Sequence, residues 1–313
     1  SYKKFYKSRI LRIWPLYYLT ILIYWKVLPN LTLLNPLHEA FFFVQQHPTK
    51  HGMLLSENQY FTISMLFLPQ FTYAIAGTID SIATYATFTW SIGVEEFFYL
   101  FWPFVLNKSK DEKKGITSVF IFYFVVYALC ILALGISKYL LHSGMLTKLS
   151  TFAVFSVYLN RISCMCVGGL GAYFVIHNMD MLKKYCTVPR AWMATVLIIV
   201  LLVTGIFTQD VLSILYMFVI LCIIVYAKPI PLLDNKILSY FGQVTYGIYM
   251  YHSMVIPLSY VLLKKYNAFN MYSFYLCSYA GTIIIAVLSY EFFEKPFLKL
   301  KDKNLLAFIK TKN

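Results

Sequence analysis

Apolar residues in this chain come in long runs rather than in alternation. The runs fall at about 10–28, 90–107, 116–137, 150–177, 191–207, 210–227, 240–264 and 272–293. Crossing a bilayer core of roughly 30 Å takes about 20 helical residues, and these runs match that length. A transmembrane barrel would alternate apolar and polar positions instead. The pattern therefore predicts an all-α polytopic membrane protein, a helical bundle of about eight transmembrane spans. Two further segments are apolar but different. The first, 36–46, is too short to cross. The second, 59–76, contains Pro69 and Gln70 and reads as re-entrant or interfacial.

Composition removes the soluble alternative. Hydrophobic residues make up 60% and charged residues 13%, where a soluble domain has about 25% charged. The net charge of +14 would suggest nucleic acid in a soluble protein. Here the lysines lie between the apolar runs, so they set topology, and no nucleic acid partner is expected. With the N-terminus in the cytoplasm and eight crossings, 20 Lys/Arg fall on the cytoplasmic side and 6 outside, with Arg161 left within a span. Letting 59–76 cross as well would turn the Lys108–Lys114 cluster outward. The positive-inside rule thus favours eight crossings with both termini of the chain cytoplasmic.

The 6 cysteines have no zinc or redox spacing and read as free core thiols. His38, His47 and His51, in the polar connection 29–58, are irregularly spaced and read as solvated, so no metal is expected. There is no internal repeat and no linker, and the chain reads as a single transmembrane domain over 1–313. It begins Ser1-Tyr2-Lys3-Lys4 without a Met, so a preceding N-terminal part is expected.

Charges inside spans cost about 2.5–3.5 kcal/mol on insertion scales, so each needs a reason. Glu95 and Glu96 follow Trp90 and Ser91 by about one and a half turns, and Ser91 and Glu95 share a helix face. A carboxylate there acts as a general base, orients one, or pairs with a buried cation such as Arg161. Arg161 falls midway along 150–177, roughly 15 Å from either end, and must face a partner or a water-filled cavity. His252 lies near the middle of 240–264 on one face with Thr245 and Tyr249, as a structural or a functional histidine. Arg9 and Arg12, three apart, form one cationic face for phosphates or for lipid headgroups. Glu294-Lys295-Pro296 closes the last span, with interfacial charges and Pro296 stopping the helix.

Several of these residues lie in segments with a family likeness. Phe5-Tyr6-Lys7-Ser8-Arg9-Ile10-Leu11-Arg12-Ile13-Trp14-Pro15 resembles the arginine-pair entry of the membrane-bound acyltransferase-3 family. Trp90-Ser91-Ile92-Gly93-Val94-Glu95-Glu96-Phe97-Phe98-Tyr99 resembles its most recognisable segment. Asn160-Arg161 with Gly168-Gly169 and Gly171-Ala172 resembles its arginine helix. Phe241-Gly242-Gln243-Val244-Thr245-Tyr246-Gly247 through His252 resembles its late histidine helix, and Glu294-Lys295-Pro296-Phe297 its ending. The matches run in family order over nearly the whole chain.

The resemblance implies an O-acyltransferase of about ten helices. It would move an acyl group, most often acetyl, from acyl-coenzyme A (acetyl-CoA) to a hydroxyl of a sugar or exported glycan. A bacterial inner (cytoplasmic) membrane location is implied, with membrane lipid and a glycan or glycoside acceptor as partners. The family begins with a helix bearing a presumed catalytic histidine and then a second helix. Neither is in this sequence, so the chain is expected to be N-terminally incomplete and inactive alone. The site implied is Glu95, Arg161, His252, Ser91 and Trp90 for catalysis, with Arg9 and Arg12 on the coenzyme A phosphates. Glu95 would support the base, and Arg161 or His252 would stabilise the oxyanion. None of the histidines has an Asp five residues later, which argues against the glycerolipid acyltransferase chemistry. The alternative is a glycan or lipid-linked sugar transporter or flippase without chemistry, since buried charge also lines transport paths. Only one broken segment, 59–76, is present, where an inverted repeat would have two.

Overall fold

A computed structural model describes residues 2–30, 57–71, 88–109, 111–142, 144–159, 161–226 and 235–300. The histidines of the polar connection lie outside them, as do segment 36–46 and the end of segment 59–76. Among the described residues the regular structure is helical, without strands. In chain order the helices are α1 (Tyr2–Leu22), α2 (Glu57–Met65), α3 (Thr89–Lys108), α4 (Glu112–Gly135), α5 (Gly144–Leu159) and α6 (Ile162–His177). They continue with α7 (Met179–Tyr185), α8 (Val188–Thr204), α9 (Gln209–Tyr226), α10 (Lys236–Lys265), α11 (Met271–Ser289) and α12 (Lys295–Lys299). Wide π turns extend α1 over Ile23–Val27, extend α4 over Ile136–Leu140, and join α11 to α12 over Tyr290–Glu294.

Among the described residues, three helical stretches are long and apolar enough to cross a membrane: Glu112–Leu140, Gln209–Tyr226 and Met271–Lys299. The pair α6 and α7, bent by 108° at their junction, makes a fourth if taken as one span. Helices α1, α3 and α10 sit where the sequence predicts spans, but they carry the Lys/Arg entry, the two glutamates and the tyrosine-rich histidine segment, which lower their hydropathy. Burial is inverted relative to a water-soluble bundle. Ile121, Phe122, Leu129 and Leu132 on α4 are exposed, while Thr20, Ser163, Ser278 and Thr282 are buried. Lipid is the solvent that suits such a surface.

The chain divides into two compact units, Ser1–Gly93 with Pro231–Asn313, and Val94–Ile230. In the first, α10 and α11 form a hairpin whose return is capped by Asn270 and Ser273 in a reciprocal capping box. α1 packs against α10 and against the π turn and α12 at the chain's far end. Tyr246 donates to the carbonyl of Ile13 at 3.0 Å, and Tyr24 donates to that of Met250 at 3.3 Å.

Segment 59–76 is broken, as Pro69 and Gln70 suggest. The nine residues of α2 extend about 14 Å, too short to cross. The chain then turns at Leu66 and Phe67, where Phe67 takes a left-handed φ of 57°. Aromatic residues of α1 hold this turn. Tyr17 stacks on Phe67 at 4.2 Å and donates to the carbonyl of Ser64, and Tyr18 donates to that of Met65.

In the second unit, α5 and α6 return one after the other along α4. Ser137 and Ser150 meet at 2.9 Å near the end of α4, and His177 reaches Glu112 at 3.5 Å near its start. Gly169 and Gly171 allow close approach on α6: a Cβ at 169 would come within 2.5 Å of the Trp102 ring, and one at 171 within 2.9 Å of Met217. α7 turns back so that Leu182 and Cys186 are buried with Leu221 and Cys222 of α9. The 6 cysteines are free.

Two sequence expectations are corrected here. The run 150–177 is not one helix, because Arg161 adopts a left-handed φ of 49° and separates α5 from α6. Pro296 does not stop the last helix. The helical stretch runs on through it to Lys299, directly after the wide π turn at Tyr290–Glu294.

Candidate functional site

The first unit gathers a set of hydrogen-bonding side chains where α3 begins beside α10. Ser91 and the Tyr249 hydroxyl are hydrogen-bonded to each other, and each lies on the carbonyl of Phe88, at 3.1 and 2.9 Å. His252 stands one turn further along α10, with its ring 5.8 Å from Phe88 and 5.6 Å from Tyr249. Its Nδ1 is hydrogen-bonded to the carbonyl of Tyr249. A carbonyl can only accept, so Nδ1 carries the proton and the neutral ring keeps its lone pair on Nε2. That tautomer suits a proton acceptor. Tyr24 of α1 adds a hydroxyl 2.6 Å from Ser253. Thr245, expected on the same face, is exposed and bonds back to its own helix at Gly242. Trp90 is half-buried in the first turn of α3.

The arginine pair lies on α1, twelve residues before Tyr24 at its nearer member, about 18 Å along the axis. Arg9 is half-buried, with its guanidinium 5.7 Å from the Phe5 ring, and Arg12 is exposed. Arg12 also interacts electrostatically with Glu294. The sequence reading placed Glu294 among interfacial charges. The structure buries it at 7% exposure, where it accepts from Ser289 at 3.2 Å. Ser289 in turn accepts from Tyr251 of α10 at 3.1 Å. Gly247 makes the room, since a Cβ there would lie 3.2 Å from the Glu294 carboxylate. Its neighbour Glu291 is ion-paired to Lys295 at 2.7 Å.

The second unit holds the other two charged residues. Glu95 is half-buried on α3 and accepts a hydrogen bond from Tyr99 one turn on. Arg161 is half-buried at the break, as the residue that opens α6. Two residues later Ser163, 1% exposed, donates to Asp210 of α9, with Tyr123 within hydrogen-bonding range of it. Sequence reasoning missed Asp210. Its only signal was an acid at the very start of the apolar run 210–227.

A family model described as an acyltransferase domain matches residues 1–291. The chain belongs to the membrane acyltransferase-3 family. No curated protein and no solved structure matches it. Membership makes this integral membrane protein an acyltransferase, and it gives the helical segments their context. The arginine pair, the glutamate-bearing α3, the arginine break before α6 and the histidine on α10 all lie within the matched residues.

Proposed function

We propose that the protein transfers an acyl group, most simply acetyl, from acyl-coenzyme A to a hydroxyl of a sugar or exported glycan in the membrane. The observation that supports this reading, beyond the family, is the contact of His252 Nδ1 with the Tyr249 carbonyl, which leaves Nε2 as the ring's acceptor, one turn along α10 from the Ser91–Tyr249 pair. In the reaction the acceptor hydroxyl loses its proton to a base as its oxygen attacks the thioester carbonyl. The tetrahedral intermediate collapses by breaking the carbon–sulfur bond, and the coenzyme leaves as a thiol after taking up a proton. Within this chain His252 is the candidate base. Ser91 and Tyr249 fix the start of α3 beside it. Arg9 and Arg12 bind the phosphates of coenzyme A, whose extended pantetheine arm suits the distance along α1. For the second unit's residues the reading assigns Arg161 to the oxyanion and Glu95 to support of the base. The topology that accompanies this reading has eight crossings with both ends of the chain cytoplasmic, in a bacterial inner membrane.

Binding tests it against a glycan transporter without chemistry. Full-length protein in detergent is titrated with acetyl-coenzyme A by calorimetry. The expected result is saturable binding that weakens about tenfold or more in Arg9→Ala/Arg12→Ala, because two charge-assisted contacts are lost. Absence of binding, with glycan export abolished by Arg12→Ala, would favour the transporter.

A further inference from the structure

Among the described residues of the first unit, Gln70 is the least satisfied polar side chain. It is 1% exposed, and both atoms of its carboxamide, Oε1 and Nε2, are without a hydrogen-bond partner. A buried amide normally finds partners, and leaving one unpaired opposes folding. The position is nonetheless tightly built. The turn that delivers Gln70 runs through Phe67, whose left-handed φ of 57° a bulky residue adopts only when its surroundings enforce it. Tyr17 stacks on that ring, Trp14 lies 5.4 Å from it, and Tyr17 and Tyr18 hold the carbonyls of Ser64 and Met65. On the other side the carboxamide rests against Gly93. A Cβ at 93 would lie 2.0 Å from Gln70 Oε1 and 2.8 Å from the carbonyl of Phe67. Only a glycine on α3 admits the amide there. Gly93 follows Ser91 by two residues, so the amide reaches the first turns of the helix that carries the Ser91, Tyr249 and Phe88 contacts.

From these observations we infer that Gln70 is a substrate-binding residue, whose paired donor and acceptor hold a neutral substrate group that itself both donates and accepts a hydrogen bond. The inference rests on the acyl-transfer reading above. Two substrates in that reading carry such a group: the acceptor has its hydroxyls, and the acyl donor has the amides of its pantetheine arm. A carboxamide matches either, because it presents a C=O and an N–H side by side. The strained turn and the glycine then hold the amide in place before substrate arrives, so little ordering remains to be done on binding.

The test compares wild type with Gln70→Leu in full-length protein in native membranes. Leu removes both unpaired polar atoms at the cost of a slightly larger, branched side chain, so the variant should fold and melt within a few degrees of wild type. With folding intact, KM is measured separately for acetyl-coenzyme A and for the acceptor. The expected result is a rise of about tenfold in one of the two, the loss of a hydrogen-bonded pair, with kcat changed by less than about threefold. A rise for acetyl-coenzyme A assigns the amide to the pantetheine arm, and a rise for the acceptor assigns it to a hydroxyl. Gln70→Asn, which keeps the carboxamide but draws it back by one methylene, should recover less than half of the lost affinity. If Gln70→Leu is stable and both KM values match wild type, the amide is merely a buried structural group and the inference is wrong. If wild type itself transfers nothing, the acyl-transfer reading fails first.

Discussion

Ser91 and Tyr249 lie 158 residues apart in sequence and share a hydrogen bond, with both hydroxyls on the carbonyl of Phe88. Two protons serve three contacts, so either hydroxyl can keep the Phe88 carbonyl when the other is removed. Tyr249→Phe and Ser91→Ala should each cost about 1 kcal/mol, the net worth of an ordinary hydrogen bond. The double variant should cost less than the sum, because the pair acts as one unit. Unfolding in a detergent and denaturant series measures all four corners of the cycle.

The glycines of α6 separate packing from propensity. Gly168 has open space where a Cβ would stand, whereas Gly169 faces the Trp102 ring. Gly168→Ala should leave stability unchanged or raise it by up to about 1 kcal/mol through helix propensity. Gly169→Ala should destabilise by about 1–3 kcal/mol, since the indole must move. Trp102 fluorescence should shift in the second variant and not in the first.

Arg161 holds a left-handed backbone between α5 and α6. A residue with a Cβ carries a cost of about 1–2 kcal/mol in that conformation, and glycine does not. Arg161→Gly should therefore be more stable than Arg161→Ala by about 1 kcal/mol, although both lose the guanidinium. Equal stabilities would show that the helix break is not held in this conformation.

Glu294 and Gly247 make a steric pair. Gly247→Val should lower stability by about 1–3 kcal/mol by pressing on the carboxylate and on Ala286. Adding Glu294→Ala should restore part of that loss, because it empties the space beside residue 247. Thermal melts of the two single variants and the double variant are sufficient to read the rescue.

Sequence patterning located the helices because lipid demands continuous apolar runs, and that demand is visible residue by residue. It also found the broken segment, since Pro69 interrupts an apolar run within a stretch too short to cross in two halves. Three features were hidden. The break at Arg161 depends on one backbone angle, which a run of apolar residues on both sides conceals. The burial of Glu294 depends on Gly247 coming to lie opposite it from another helix. Asp210 meets Ser163 only because α6 and α9 pack together. Glu95 and His252 stand out in the sequence as polar groups within apolar runs, but the groups they contact, Tyr99 and the Tyr249 carbonyl, do not. The proton on Nδ1 of His252 follows from its contact with the Tyr249 carbonyl, which no spacing announces.

The most direct measurement follows labelled acetyl from acetyl-coenzyme A into glycan or lipid-linked sugar in membranes containing the full-length protein, beside Glu95→Gln and His252→Asn. The account predicts transfer by wild type and a fall of about a hundredfold or more in His252→Asn, the scale of a lost general base, with a clear loss in Glu95→Gln. Transfer that persists unchanged in both variants would contradict the assignment of these residues, and no transfer by wild type would contradict the acetyl-transfer reading itself.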